Sequence, residues 1–338
     1  MTYVMRPARP DDLEAMYEMA KLTGGGFTNL PANRPALEAK LARSAEAISR
    51  TSDELADDLF VLVLEDAETG AIRGTCQIFS RVGMSWPFYS YRITSHTAYS
   101  RELDRTFRNQ SLQFVTDLEG SSEVGGLFLH PSARAGGLGL LLARSRYLFI
   151  AMHRARFADR LLAELRGIVD GHGNSPFWDG VAGRFFGMSF READDFNALN
   201  GNQFIADLMP RHPIYTAMIS DDARAAIGVP HESGRPAMRM LEDEGFAWEN
   251  YIDIFDGGPT MTIRTDSVKT IAASQRATVD SVDPANGRKG IVATGHLADF
   301  RCCLSRIQAN EDGSVAIEAR ARQALCVAAD DSVCWATR

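Results

Sequence analysis

The sequence predicts a mixed α/β fold, and three observations carry that expectation. Apolar runs of strand length alternate with longer stretches of helical periodicity. Two of the early strand runs are joined by an acidic loop too short for a crossover helix, so they form an antiparallel hairpin. A buried strand near mid-chain then passes through a glycine turn into a long apolar helix.

Taken in order, Tyr3-Val4-Met5-Arg6 reads as a short strand, and Pro10-Asp11-Asp12 supplies the turn and cap for a helix from Leu13 to Ala20. Leu13, Met16, Tyr17 and Ala20 share one face of that helix, and Thr23-Gly24-Gly25-Gly26 ends it. A second helix is expected over 35–50, marked by Leu37, Leu41 and Ile48. Phe60 to Leu64 and Ile72 to Phe79 are the hairpin strands, joined through Glu65 to Gly70. Residues 84–120 show only strand-like aromatic pieces such as Phe88 to Arg92. Glu123 to Leu129 is the buried strand, stopped by His130-Pro131, and the long helix is expected from Leu140 to about Ala158. A strand follows at 161–167. Ser175-Pro176 then caps a helix from Phe177 to Phe186, which Gly187 closes. Pro236 to Glu244, Gly245, and Phe246 to Phe255 repeat the order helix, glycine, strand. From Lys289 the pattern turns to β, with strands at 290–293, 300–307 and 315–317.

With 338 residues and about 150 residues per domain, two domains or one large one are expected. The segmentation read from the chain is 1–192 as the main α/β domain, 193–270 as an α/β extension completing the active site, and 271–338 as a small β-rich module. A polar stretch near 266–288 fits a linker or extended connection between the last two. A balance of 36 basic against 44 acidic residues, net −8, disfavours sequence-independent nucleic-acid binding. The five cysteines form no C-x-x-C pair, and their odd number argues against a disulfide framework and for a reducing compartment. No secretory apolar run opens the chain, and Arg144 and Arg146 interrupt its most apolar stretch, so a cytoplasmic enzyme without a membrane partner is expected.

The strongest chemical signal is Arg134-x-x-Gly137-x-Gly139 between the buried strand and the long helix. Glycines let backbone N–H groups approach an anion, the helix N-terminus favours negative charge, and an arginine adds charge-assisted bonds. A plain strand-to-helix turn would contain the same glycines. The spacing fits neither a Walker loop nor a Gly-x-Gly-x-x-Gly dinucleotide motif. No metal-ligand spacing and no Gly-x-Ser-x-Gly elbow occurs, so no metal is expected. Cys302 and Cys303 point to opposite faces of a strand-like run and are poor nucleophiles.

The order around this loop (strand and helix, hairpin, strand into Arg-x-x-Gly-x-Gly, long helix, strand) resembles the GNAT superfamily of acyltransferases, whose glycine loop cradles the pyrophosphate of coenzyme A. Within it, residues 1–270 are similar to the arginine N-succinyltransferase family. The strings that carry the resemblance are Thr23 to Asn33, Gly173 to Trp178, Leu208 to Tyr215 and Asn250 to Thr260. The resemblance implies succinyl transfer from succinyl-CoA, a cosubstrate rather than a bound cofactor, to the α-amine of L-arginine. It places an acyl-CoA contact on Leu127, pyrophosphate contacts on Arg134, Gly137 and Gly139, and a proton donor on His231. It also allows a homo-oligomer, or pairing with a related subunit. His231 lies between Pro230 and Gly234 in a loop, where site residues concentrate, and histidine suits proton donation near neutral pH. His212 is the alternative. Asp253 and Asp256 are candidates for the arginine guanidinium, although Tyr251-Ile252-Asp253-Ile254 alternates as any half-buried strand does. Ornithine as a second acceptor and a silent CoA- or arginine-binding regulator are the rival readings.

Overall fold

The computed structural model describes residues 2–23, 29–134, 136–200, 203–209 and 211–337. Its strands are, in chain order, β1 (Tyr3–Pro7), β2 (Leu59–Asp66), β3 (Ile72–Phe79), β4 (Ser90–Ser100), β5 (Arg105–Val115), β6 (Ser122–Leu129), β7 (Arg160–Glu164), β8 (Ile214–Tyr215), β9 (Ala247–Ile252), β10 (Pro259–Arg264), β11 (Gln275–Thr278), β12 (Arg288–Thr294), β13 (Arg301–Ala309), β14 (Val315–Ile317) and β15 (Ser332–Thr337). The chain divides into two compact units, each assembled from separated stretches. The first comprises Met1–Arg81, Ser122–Asp159 and Arg264–Arg338, and the second Val82–Ser121 and Arg160–Ile263.

The first unit holds the expected mixed architecture. Its strands lie in the order β11-β15-β12-β13-β1-β2-β3-β6, with β14 against β13. The hairpin of β2 and β3 is antiparallel, as its short acidic loop requires. β2 is buried on both faces, and its alternation assigns them. Val61 and Val63 pack with Met16, Leu37 and Leu41 of the helices Leu13–Lys21 and Arg34–Ser49. Phe60, on the opposite face, meets Phe149 of the helix Leu138–Met152 with ring centroids 4.9 Å apart. That helix is buried continuously from Leu141 to Ile150, arginines included. Arg144 Nε donates to Thr270 Oγ1 at 2.8 Å and Arg146 Nε to Ala143 O at 3.2 Å, so neither charge is buried without a partner.

This helix ends at Met152 rather than near Ala158. His153 leaves helical geometry (φ −124°, ψ 37°) while its Nδ1 bonds to Phe149 O at 2.8 Å. A 3₁₀ turn, Arg154–Arg156, then carries the fully buried Arg156 to Ala47 O, Arg50 O and the Asp53 carboxylate. The guanidinium thereby receives the last carbonyls of the Arg34–Ser49 helix, where a positive charge is favoured.

The β-rich C-terminal stretch continues the first unit's sheet: β13 pairs antiparallel with β1, Val4 opposite Cys303 and Met5 opposite Cys302. The 266–288 segment, read as a linker or extended connection, contains a short helix, Lys269–Ala272, and β11, which pairs with β15.

In the second unit the order is β7-β10-β9-β4-β5-β8. β4 and β5 form a long antiparallel hairpin, in register from Ser90↔Val115 to Ser100↔Arg105. The core gathers Tyr91, Phe177 and Trp178, with the indole stacked on Phe255 at 5.7 Å and on Phe186 at 5.6 Å. The helix expected over 177–186 is two short ones, Pro176–Gly180 and Gly183–Phe186, interrupted at Val181 (φ −122°, ψ −91°). Ser175 caps the first through Trp178 N at 3.2 Å, and Gly187 closes the second at φ 62°.

Candidate functional site

In the first unit, the end of β6 and the turn after it gather Leu127, Arg134, Gly137 and Gly139. The register of β6 on β3 slips between Thr75, opposite Phe128, and Gln77, opposite Gly125. Cys76 therefore faces two residues, Gly126 and Leu127, and β6 is bulged there. Gly126 has φ +59°, and a Cβ on it would meet the Gln77 side chain at 3.0 Å, so both backbone and space call for glycine. A bulge turns the groups beside it away from the regular ladder, and Gly126 and Leu127 are the two residues in it.

After His130 and a 3₁₀ turn, Pro131–Ala133, the chain reaches Gly136 and Gly137, both left-handed at φ 66° and 83°. Ala135 lies outside the described residues. Gly137 is the N-cap of the long helix and offers no side chain to cap it. The first bonds of the helical ladder run from Leu140 N and Leu141 N to Gly137 O at 3.0 Å each, so the amides of Leu138 and Gly139 precede it. Arg134 is exposed, its Nε 3.4 Å from Leu129 O. A cavity of about 360 Å³ opens beside the turn, lined by Ser132, Gly136, Leu138, Leu304 and Arg320 among others. The arrangement presents amides, a helix N-terminus and an exposed cationic side chain on one surface, the chemistry of an anion cradle.

In the second unit His231 falls in one loop and Asp253 and Asp256 in another, and hydrogen bonds tie both to each other and to the stretch after β7. His231 N donates to Arg166 O at 2.8 Å and Gly228 N to Gly257 O at 2.8 Å. Asp256 Oδ2 accepts from Gly167 N at 2.8 Å and Oδ1 from Gly258 N at 2.9 Å. Asp253 Oδ1 accepts from Phe255 N and Asp256 N. Burial pushes both carboxyls up, Asp256 to about 7 with the Asp253 charge adding to it. Each Asp256 oxygen accepts one amide bond and keeps a second lone pair, so acceptor capacity for a guanidinium remains.

The His231 ring caps a 3₁₀ turn, Glu232–Gly234. Its Nδ1 lies 3.2 Å from Ser233 N and 2.8 Å from Ser233 Oγ. The backbone N–H can only donate, so it favours the neutral tautomer with the proton on Nε2; the hydroxyl can donate or accept and tolerates either ring form. Partial burial and then the Arg166 charge lower the His231 pKa. His130 is built the same way: Nδ1 is 3.2 Å from Ser132 N, and His130 N donates to Arg73 O at 2.8 Å. The capping geometry alone therefore does not distinguish a catalytic histidine. His212 is exposed, and His153 is a core residue.

Sequence reasoning passed over Gly126, Ser233 and Arg166. The Gly-Gly pair inside a strand pattern signals a bulge. Ser233, two residues past a pre-turn histidine, signals a ring partner. Nothing local marks Arg166. Thr23-Gly24-Gly25-Gly26, split between a substrate loop and a helix terminator, lies outside the described residues from Gly24 onward. Those residues contain no group of three metal-ligating side chains, and no helix among them is long and apolar enough to cross a membrane.

Comparison with known proteins covers nearly the whole chain. The family model for the arginine N-succinyltransferase beta subunit matches residues 3–270, and that for its C-terminal domain matches 275–337. An arginine N-succinyltransferase of Escherichia coli O139:H28 is 40% identical over 331 residues, 97% of this chain and 95% of that protein. One from Salmonella schwarzengrund is 41% identical over the same share of each chain. The solved structure of arginine/ornithine succinyltransferase subunit AI from Pseudomonas aeruginosa superposes with a TM-score of 0.89 at 32% identity, covering 99% of this chain and 98% of that one. On these matches, the protein belongs to the arginine N-succinyltransferase family of acyltransferases.

Proposed function

We propose that the protein transfers the succinyl group of succinyl-CoA to the α-amine of L-arginine, giving N2-succinyl-L-arginine and CoA by direct attack of the amine. The observation that carries this reading is the alignment with arginine N-succinyltransferases over 97% of the chain. A thioester is already activated, so the protein's tasks are to hold the reactants, stabilise the carbonyl oxygen as it becomes negative, and protonate the departing sulfur. The turn of Arg134, Gly137 and Gly139 is assigned to the pyrophosphate of the acyl-CoA, supported by its amides and helix N-terminus. The Leu127 amide, which lies in the bulge, is assigned to the carbonyl oxygen. As the C–N bond forms and the C–S bond breaks, nitrogen loses one proton and sulfur gains one. The charged His231 ring supplies the latter from Nε2, with Ser233 Oγ accepting from Nδ1, while the proton lost by nitrogen passes to water, from which the ring is recharged for the next turnover.

The test is release of CoA thiol from succinyl-CoA with L-arginine, L-ornithine or no amine, and acetyl-CoA as the donor control. Release that needs both succinyl-CoA and arginine supports the reading, and comparable release with ornithine extends it to the activity named for the Pseudomonas protein. Binding of succinyl-CoA without release under any amine would move the assignment to a silent binder. His231→Ala is expected to lower kcat by roughly 10²–10⁴-fold with little change in succinyl-CoA affinity. An unchanged kcat removes His231 from the mechanism. Light scattering of the purified chain decides between a monomer, a homo-oligomer and a subunit awaiting a partner.

A further inference from the structure

We infer that Arg166 recognises a carboxylate of the reacting molecules; this rests on the reading of His231 as the proton donor. The Arg166 carbonyl accepts the His231 N–H at 2.8 Å, which fastens the stretch after β7 to the histidine loop. The Arg166 guanidinium is half-buried, yet it forms no hydrogen bond or ion pair among the described residues, and its Nε is shut off from water without an acceptor. The nearby Asp256 carboxylate is not hydrogen-bonded to it, although the Arg166 charge counters part of the burial-driven rise of the Asp256 pKa; the Asp256 oxygens accept from the Gly167 and Gly258 amides. Two other buried guanidinium groups are hydrogen-bonded, whereas the Nε atoms of Arg50 and Arg81, like that of Arg166, lack an acceptor. Arg6 takes Asp12 through two nitrogens, and Arg156 takes two carbonyls and a carboxylate. A half-buried, always-charged fork without an acceptor is costly to the free protein, and the cost is recovered when an anion arrives.

Both reactants bring a carboxylate. The donor carries one at the far end of its succinyl group, and the acceptor carries one on the carbon that bears the attacking amine. A planar guanidinium matches either in a two-point geometry, whereas the acceptor's own guanidinium would be repelled. The shared chemistry is therefore a carboxylate beside the histidine that moves the proton. Seating it on Arg166 would fix the reacting group relative to His231 through the bond between their backbones.

The experiment compares wild type, Arg166→Gln and Arg166→Lys with two pairs of probes. The donor pair is succinyl-CoA and acetyl-CoA, read as Kd by titration calorimetry. The acceptor pair is L-arginine and L-argininamide, read as the ratio of kcat/KM values. Substitution leaves the Arg166 carbonyl, and so the His231 anchor, in place. Arg166→Gln is expected to weaken one carboxylate-bearing probe by about 10- to 100-fold while its carboxylate-free analogue changes little. The affected pair identifies the source, donor or acceptor. Arg166→Lys, which keeps the charge without the fork, is expected between wild type and Gln, and it stands in if the Gln variant does not fold. A folded variant in which both members of each pair change equally, or not at all, overturns the assignment. If wild type transfers no succinyl group to any amine, the proposed function fails and takes this assignment with it. If wild type is active and discrimination is unaltered in the variants, only Arg166 is removed.

Discussion

Gly137 and Gly139 look alike in the sequence and differ in what holds them. Gly137 has φ +83°, which side chains rarely adopt, so glycine is required by the backbone itself. Gly139 sits in the first turn of the helix, and a Cβ there would meet nothing nearer than Leu129 Cδ2 at 3.9 Å. No packing demand accounts for it, although glycine costs a helix about 0.5–1 kcal/mol relative to alanine. The proposed approach of the acyl-CoA pyrophosphate to the Gly139 amide would supply a reason. Gly139→Ala is therefore expected to leave or raise thermal stability while raising the acyl-CoA KM by roughly 5- to 50-fold, the loss of one or two amide–phosphate bonds. Gly137→Val would confound the two effects through strain. A Gly139→Ala enzyme with normal KM would return this turn to an ordinary helix start. The turn was legible in the sequence because glycines declare backbone constraints locally. Arg166 was not, because its character lies in having no hydrogen-bond acceptor among the described residues, which only the folded surroundings reveal.

At the scale of elements, the apolar pattern revealed what is buried and missed what is exposed. The Leu13–Lys21 helix, the β2–β3 hairpin and β6 were readable because their buried faces impose spacing. The outer halves of β4 and β5 are exposed on both faces, so no alternation marks them. The long helix stops early for a reason no propensity contains. His153 donates from Nδ1 to Phe149 O, and its Nε2 accepts from Leu297 N at 3.1 Å. The Leu297 bond needs the neutral ring, and burial lowers its pKa to about 4. Above the ordinary histidine range the ring is neutral in folded and unfolded chains alike. As pH falls towards about 4, the unfolded chain takes a proton that the folded one refuses, so stability declines with falling pH by at most ~1.4 kcal/mol per unit and levels off below. Urea unfolding at pH 6.5 and 5.5 tests this against His153→Gln. Asp256 titrates in both proteins, so the difference in slope isolates His153. Equal pH slopes would show that the ring is not held neutral.

For the whole molecule, the decisive contact is one that sequence order conceals. The C-terminal stretch has a core of its own, including Val292, Ile307, Ile317, Leu325 and Trp335, and a separate family model matches it. Local patterning therefore reads it as a module. Yet β13 supplies the strand that covers the β1 edge, a pairing between residues close to opposite ends of the chain that leaves no local trace. Phe300, fully buried, sits edge-on to Phe149 at 5.0 Å; Leu297 N holds the His153 ring; and Thr337 O receives Arg144 at 3.2 Å. Removing residues 271–338 would open the β1 edge, uncover Phe149 and take the Thr337 carbonyl from the buried Arg144. Each large apolar side chain uncovered costs about 1.5–3 kcal/mol, against a total stability of only about 5–15 kcal/mol. A chain ending at residue 270 is thus expected to be insoluble or aggregated, and co-expression of 271–338 as a separate polypeptide is expected to restore soluble protein. Soluble yield and size-exclusion chromatography provide the measurement. A truncated chain that stays monomeric and melts cooperatively would mean that the β1 edge is protected by something other than β13, and that the C-terminal strands are an attachment rather than part of the fold.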